Sequence, residues 1–489
     1  MKRIIIFLTP IVILASCDFL EPRPIQDQTT EDLWSHATYG EGILTAAYAR
    51  LQTYYPVDMD YYTDNAVPSQ PGLNNLALGS WTVENNPVGD WNNCYNSIKY
   101  LNIFIDNGEE LVYSVSDQVK DSILKANRVG EAYFLRAWYQ WQLLQTYAGY
   151  PDGSNQALGF PIVNKVLEQG DDLDLPRNSY DDCVQQIADD CDKAYAILPL
   201  MYDQGADAYL GLKNRGRGSG LAALALKARV FLFAASPAYG SSSQALWQRA
   251  AQAAYNAIEA AGGLTELDPY GNFNNASSFN YIWIQPTYAW RGEEMSYYPP
   301  SLYGSGLCNP SQNLVEEFPA ADGYPVNESP LYESENPYEN RDPRFNRFVF
   351  FNGDDYNGTI IQTYQGGNDA PGGLSQQGTR TGYYMKKLLS KNIRLTPGNQ
   401  NTDVKFYVYL GKTELYLNFA EAANEAYGPN NATLGISAAD AMRMIRMRAG
   451  IDSDTATEGY QDQYLETRGA AGKDAFREFI YSNRRIELC

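Results

Sequence analysis

The stretch that decides the fold is residues 220–236, GLAALALKARVFLFAAS. Ala222, Ala225 and Ala228 recur every three residues, so in a helix they share one face, where a second backbone can approach closely. Pro237 follows directly, and proline does not continue a helix. The stretch therefore predicts a helix that packs tightly on a neighbouring helix and ends before Pro237.

Helical patterns also lie on both sides of this stretch. Apolar residues recur at intervals of three and four from Tyr180 to Leu198, and Ser179 with Asp182 provides a start signal. Further stripes run through residues 131–147, 247–258, 413–427 and 438–449. These patterns predict a mostly α fold made of tetratricopeptide-like helix pairs, an α-superhelix with few short strands. An irregular helical bundle fits the same periodicity.

Two segments between the helices, residues 54–90 and 264–411, are rich in Tyr, Asn, Gly, Pro and Asp. Long irregular loops in a compact domain are usually functional. Aromatic planes can stack on the apolar faces of sugar rings, while Asn, Asp and Arg side chains can bond to the hydroxyls. The loops are therefore interpreted as ligand-binding and suited to a glycan. Alternatively, their tyrosines pack the loops onto the helical body.

Specific candidates come from large side chains in the polar, Asn-rich loops. The candidate stacking residues are Trp81, Tyr281, Trp283 and Trp290. The candidate partners for sugar hydroxyls are Asn85, Asn86 and Arg291. Stacking contributes on the order of 1 kcal/mol per aromatic contact, so Trp283→Ala is expected to lose most glycan affinity.

The N-terminus has the pattern of a lipoprotein signal peptide over residues 1–16. A basic start precedes an apolar run from Ile4 to Leu14, which is shorter than the roughly 20 residues of a spanning helix. Cys17 follows a small residue, so cleavage before Cys17 and attachment of the chain to a membrane through lipid on that residue are predicted. The alternative is an ordinary secretory signal in which Cys17 is incidental.

Composition argues against several other functions. The formal net charge of −21 disfavours nucleic acid as a partner. His36 is the single histidine and neither Cys-x-x-Cys nor His-x-x-x-His occurs, so no metal and no cofactor are expected. A secreted glycosidase would need two carboxylates about 5 to 10 Å apart, and no acidic motif stands out, so no enzymatic activity is expected.

The chain has no linker of biased composition, so residues 17–489 are interpreted as one domain. Its helical body is expected over about 30–53, 91–263 and 412–489, around the loop-rich part at about 54–90 and 264–411. Nine blocks resemble, in order, the SusD/RagB family of Bacteroidetes outer-membrane lipoproteins. They are SCDFLEPRP (16–24), RVGEAYFLRAWYQWQLLQTYAGYP (128–151), LPRNSYDDCVQQIADDCDKAYAILP (175–199), RGRGSGLAALALKARVFLFAASPAY (215–239), NLVEEFPAADGYP (313–325), ENRDPRFNRFVFFNG (339–353), TGYYMKKL (381–388), TELYLNFAEAANEA (413–426) and RMIRMRAG (443–450).

This resemblance implies a body of four tetratricopeptide-like helix pairs that packs on a SusC-like TonB-dependent transporter. The protein would capture oligosaccharide or polysaccharide at the outer face of the outer membrane and deliver it for import, without breaking a bond. Peptides or another nutrient could take the place of the glycan. Family members continue beyond residues 484–488 with a further segment, so this chain, which ends at Cys489, is expected to be truncated at its C-terminus.

Overall fold

The computed structural model of the chain describes residues 33–489, apart from residues 35, 56, 71, 73–75, 83–84, 203–208, 240–242, 271–274 and 453–458. The predicted signal peptide, residues 1–16, and the predicted lipidation site Cys17 lie outside the described residues, as does the start of the predicted helical body.

Long helices dominate the described residues and alternate with long loops. The helices are α1 (Ala37–Tyr48), α2 (Trp91–Asn107), α3 (Gln118–Tyr147), α4 (Tyr180–Ile197), α5 (Gly220–Ala235), α6 (Gln244–Ala260), α7 (Gly292–Tyr297), α8 (Gln312–Glu317), α9 (Pro343–Phe348), α10 (Lys412–Tyr427), α11 (Ala438–Ala449), α12 (Gln463–Ala470) and α13 (Lys473–Leu488).

Serine side chains mark the beginning of several long helices. The hydroxyls of Ser179, Ser219 and Ser437 each accept a bond from a backbone N–H three residues further on, at 3.0, 3.2 and 3.1 Å. Asp440 completes a capping box by accepting from the Ser437 backbone N–H at 2.9 Å. These bonds satisfy N–H groups that a helix start leaves unpaired, which is why the start signals in the sequence are reliable here.

Consecutive long helices pack on one another in chain order. α3 contacts α4, α4 contacts α5, α5 contacts α6, and α6 contacts α10, which in turn packs on α11 and α13. Ala222, Ala225 and Ala228 of α5 are all buried, as their spacing predicted. The mostly α fold with helix pairs is therefore confirmed.

The strands are short and form two-stranded antiparallel ladders. They are β1 (Ala66–Pro68), β2 (Tyr281–Ile284), β3 (Tyr288–Trp290), β4 (Cys308–Pro310), β5 (Val349–Phe350), β6 (Asp355–Tyr356), β7 (Thr359–Ile360), β8 (Tyr384–Met385), β9 (Asp403–Lys405) and β10 (Val408–Gly411). The pairs are β1 with β4, β2 with β10, β3 with β9, β5 with β8 and β6 with β7. Several of these ladders join segments that lie far apart in the chain.

The two loop-rich segments meet in space. β1, from the first segment, pairs with β4 of the second, with Ala66 opposite Pro310. The rings of Tyr55 and Tyr407 lie 4.7 Å apart between centroids. The Tyr288 hydroxyl donates to the Thr53 carbonyl at 3.2 Å. Residues more than 200 positions apart therefore build one loop-rich region beside the helices.

Candidate functional site

Trp283 is a core residue, contrary to its place among the candidate stacking residues. Its side chain is 1% exposed, because pairing of β2 with β10 turns it toward the helical body. The ring packs against Phe134, Trp138 and Tyr409 at centroid distances of 4.7, 4.9 and 4.2 Å. The indole N–H donates to the Gly216 carbonyl at 2.9 Å. Trp283 therefore offers neither a ring face nor an N–H to a ligand.

Tyr281, two residues earlier in β2, is half-buried and lines a cavity of about 660 Å³. The wall of this cavity also contains Tyr55, Phe406 and Tyr409. The Tyr281 ring packs edge-on against Phe406, with 5.3 Å between centroids. Burial raises the pKa of Tyr281, so its hydroxyl stays protonated at neutral pH.

Two basic side chains on the wall of this cavity, Lys405 and Arg448, are paired within the chain. Lys405 donates to Glu294 at 2.6 Å, and Arg448 donates to Glu487 at 2.7 Å. Arg448 also lies over the Tyr270 ring, 4.1 Å from its centroid. These ion pairs hold the cavity wall together, which favours a binding surface among the exposed loop residues outside the cavity.

Trp290 lies at the end of β3, where it pairs with Asp403 of β9, and it is 51% exposed. The next residue, Arg291, is half-buried and precedes the first residue of α7. A Cβ added at Gly292 would overlap the indole of Trp290, so the ring lies directly against the backbone there. Trp290 is thus a large aromatic that is held in place while about half of its surface remains open to solvent.

Trp81 occupies the loop before α2 and is 47% exposed. Asn85 is exposed, and its backbone N–H closes a turn by donating to the Thr82 carbonyl at 3.1 Å. The Asn86 carboxamide oxygen accepts from the Val88 N–H at 3.0 Å, so that oxygen serves the loop itself. Of the two asparagines, Asn85 is the more available to a ligand.

Backbone hydrogen bonds connect the segment that carries Trp290 with the segment that carries Trp81. Leu307 donates to the Ser296 carbonyl near the end of α7, and Ser69 donates to the Leu307 carbonyl, each at 2.9 Å. Ser69 and Ser296, one from each segment, therefore both lie beside Leu307. We call the candidate residues that these loops present, Trp81, Asn85, Trp290 and the half-buried Arg291, the loop surface.

Sequence reasoning did not single out several other exposed loop aromatics. Tyr54 is 63% exposed, Tyr303 58% and Tyr364 55%. Trp91 begins α2 and is 37% exposed beside Tyr147, with 5.0 Å between ring centroids. The sequence contains 39 tyrosines in similar polar surroundings, so composition carries no signal that separates these exposed rings from the buried ones.

Two other kinds of feature, a membrane-spanning helix and a metal-binding cluster, are absent from the described residues. No helix there has the length and apolar character needed to cross a lipid bilayer. No cluster of three or more His, Cys, Asp or Glu side chains there is arranged to hold a metal ion.

Two family models match consecutive parts of the chain. The family described as "Starch-binding associating with outer membrane" matches residues 18–232, and the one described as "SusD family" matches residues 270–489. No curated protein sequence matches the chain.

Solved structures with the same fold include two proteins of Bacteroides fragilis NCTC 9343. A SusD-like protein aligns with a TM-score of 0.71 at 21% identity, over 94% of this chain and 85% of its own. A SusD-like carbohydrate-binding protein aligns with a TM-score of 0.69 at 21% identity, over 94% and 84%. A laminarin-binding SusD-like protein aligns with a TM-score of 0.56 at 14% identity, over 93% and 91%.

Because the sequence identities are only 14 to 21%, the similarity to these solved structures establishes the fold alone. The two family models show that the chain also matches the family in sequence. The family that the nine blocks predicted is therefore confirmed. The chain belongs to the SusD/RagB family.

Proposed function

We propose that this protein is a cell-surface lipoprotein that binds glycan chains at the loop surface and passes them to a SusC-like TonB-dependent transporter. The observation that carries the proposal is that two tryptophans of the loop-rich part, Trp81 and Trp290, are each about half exposed. The description of one matching family as starch-binding and the laminarin-binding neighbour support a glycan as the ligand.

The chemistry of the loop surface suits a sugar polymer. An indole face stacks on the C–H groups of a sugar ring, and each such contact contributes on the order of 1 kcal/mol. Arg291, directly after Trp290, and Asn85, four residues after Trp81, supply hydrogen-bonding groups. Several weak contacts on an open surface allow a long chain to bind and to leave quickly, as delivery to a transporter requires.

Two carboxylates near Trp290, those of Glu294 and Asp403, have structural roles. Glu294 is fully buried, and one of its oxygens accepts from Lys405 and from the Ser390 N–H at 2.6 and 2.7 Å. Asp403 accepts from the Ser390 hydroxyl at 2.6 Å. A glycosidase needs a pair of carboxyl groups free to reach the scissile bond, so we infer a protein that binds and does not cleave.

Membrane attachment and the transporter partner are parts of the same proposal. The sequence pattern around Cys17 supports a lipid anchor, and the description of the N-terminal family match refers to association with the outer membrane. Protease treatment of intact cells tests the outward orientation. We expect the protein to be degraded while periplasmic proteins survive, and protection of the protein would contradict an outward-facing location.

Affinity electrophoresis of the purified protein tests glycan binding directly. Native gels would contain soluble starch, laminarin or one of a panel of other polysaccharides, with a gel lacking polysaccharide and a non-binding protein as references. We expect retardation by at least one polymer. Unchanged mobility in every gel would contradict the proposal, and calorimetry with peptide mixtures would then test the peptide alternative.

A further inference from the structure

The cavity of about 660 Å³ that Tyr281 lines has several aromatic rings on its wall. The Tyr281 ring is fixed against Phe406, with 5.3 Å between centroids. Tyr55 and Tyr409 both pack on Tyr407, at 4.7 and 4.9 Å. The volume falls in the range of sites for small molecules, roughly 300 to 1,000 Å³. The cavity therefore has the size and the wall for a compact organic ligand, and its polar groups decide the class of that ligand.

Glu293, in the first turn of α7, contributes a carboxylate to the wall of this cavity. Its Oε2 atom is buried and has no hydrogen-bond partner among the described residues. The neighbouring Lys405 ammonium bonds to Glu294 instead, at 2.6 Å. Buried polar atoms normally have a partner, so an oxygen that has none within the protein is suited to accept a bond from a ligand.

The surroundings of Glu293 leave its negative charge poorly compensated. Burial is the largest influence on the pKa of Glu293 and raises it, and Glu294 raises it further, while Lys405 opposes them only in part. A carboxylate in such surroundings is stabilised by a cation at its free oxygen.

The other three carboxylates on the wall already have partners. Glu414 accepts from Arg229 and Glu487 accepts from Arg448. Asp268 accepts from a serine hydroxyl, that of Ser278. Among the described carboxylates that line the cavity, Glu293 is thus the one with a buried oxygen that lacks a partner.

The basic groups on the wall are also bonded within the chain, which disfavours an anionic ligand. Lys387 donates to the carbonyls of Glu487 and Cys489 at 2.8 and 2.7 Å. Arg448 has one N–H, at Nε, without a partner, but the charge of its guanidinium is matched by the Glu487 carboxylate at 2.7 Å. The charge balance of the cavity wall therefore favours a cation.

We propose that this cavity binds a small organic cation, a primary ammonium group on an apolar body, with the ammonium donating to Glu293 and the body packed against Tyr281 and Phe406. Aromatic ring faces also attract ammonium groups, so the same wall suits both ends of such a ligand. The formal net charge of −21 attracts cations toward the protein. This inference is independent of the proposed function, because none of the four loop-surface residues is among those that line the cavity.

The test compares two cations with neutral molecules of similar shape. Phenethylammonium is paired with phenethyl alcohol, and isoamylammonium with isoamyl alcohol. Calorimetry at about pH 8, where a primary alkyl ammonium is charged, measures the affinity of the unaltered protein for each. A hydrogen bond between charged groups is stronger than one between neutral groups, so we expect at least one cation to bind about tenfold more tightly than its alcohol.

Two variants locate the binding in the cavity. Glu293→Gln keeps the shape of the side chain without its charge, so the preference for the cation over the alcohol should disappear. Its melting temperature should stay the same or rise, because a poorly compensated buried charge is removed. Tyr281→Ala removes a ring from the wall and should weaken the binding of the cation and the alcohol alike, by about fivefold.

Matched controls come from the helical body. Glu259→Gln removes an exposed carboxylate near the end of α6, and Tyr195→Ala removes a tyrosine of α4 that is 45% exposed. Both controls should bind the four probes as the unaltered protein does. Equal affinity of the unaltered protein for each cation and its alcohol overturns the proposal, as does failure of both cations to bind. A preference for the cation that persists in Glu293→Gln also overturns it.

Discussion

The indole of Trp290 lies against Gly292, where a Cβ atom would overlap the ring. The φ of Gly292 does not fall in the left-handed region, so steric room and not backbone freedom is what glycine contributes here. A half-exposed aromatic is thereby pressed onto the first turn of α7 and presents the rest of its surface to solvent.

Gly292→Ala is therefore expected to displace the Trp290 indole and to weaken glycan binding by about fivefold, roughly the contribution of one stacking contact. Binding is measured by affinity electrophoresis, and the ring position by the change in tryptophan emission. Gly292→Ala should cause no change in tryptophan emission when it is introduced into the Trp290→Phe variant. Gly42→Ala in α1 is the matched control, because its Cβ would enter open space. Glycan binding by Gly292→Ala equal to that of the unaltered protein would show that the position of the Trp290 ring does not matter for binding.

Trp81→Ala and Trp290→Ala are each expected to raise the dissociation constant for a bound glycan by about fivefold, with little effect on stability. Both side chains are half-exposed, so their removal leaves no large cavity. Calorimetry with the polysaccharide found in the gel screen measures the affinity, and Tyr195→Ala serves as control. If neither variant changes the affinity, the loop surface is not the binding site.

Trp283→Ala is expected to lower the free energy of unfolding by about 3 to 5 kcal/mol, because it leaves a cavity between three aromatic rings and an unpaired Gly216 carbonyl. Urea denaturation measures the loss, and Trp283→Phe should lose less. Exposed Trp81→Ala is the comparison for removal of an indole. A Trp283→Ala protein with native stability and no glycan binding would restore Trp283 as a ligand residue.

An ion pair between α5 and α10 is expected to make stability depend on pH. Arg229 donates from two nitrogens to both oxygens of Glu414, each at 2.6 Å. Burial is the largest single influence on the pKa of Glu414 and raises it, but Arg229, together with Arg484 and Asn418, lowers the pKa by more, so it lies below its ordinary value of 4.5. A carboxyl with a depressed pKa stabilises the folded state above its unfolded pKa, and that contribution is lost as the pH falls through the folded value.

The free energy of unfolding should therefore decrease between about pH 5 and about pH 3, and the decrease should be shallower in Glu414→Gln, which has no such proton to bind. Urea denaturation across this range measures the slope. Lys227→Gln, which removes a more exposed ion pair with Asp192, is the control and should retain the original slope. Equal slopes for Glu414→Gln and the unaltered protein would show that the pair adds no pH-dependent stability.

The helical body was predictable because its signals are local. Ser179 and Ser437 bond to backbone groups three residues away, and the apolar stripes that follow them need only the helical period to form one buried face. The order of packing also follows from the chain, since consecutive helices contact one another. The family was predictable from the sequence for a related reason, since most of the nine matching blocks lie in these helical segments, whose structure is determined by nearby residues.

The candidate site was only partly predictable, because the fate of a loop aromatic depends on distant residues. Trp283 and Trp290 lie seven residues apart in the same loop-rich segment, yet the first is 1% and the second 51% exposed. Trp283 is covered because β2 pairs with β10 and faces α3, whereas Trp290 ends a strand that pairs with β9. Their partners, Leu410 and Asp403, lie more than 100 residues further along the chain.

Local sequence thus specified the helices, their ends and the loops in which a ligand site could be built. Tertiary structure decided which of the loop aromatic side chains remain exposed to solvent. The physical reason is that the hydrogen bonds that stabilise a helix join residues three to four positions apart. Burial of a loop side chain instead requires contacts with distant residues, which form only when the whole chain has folded.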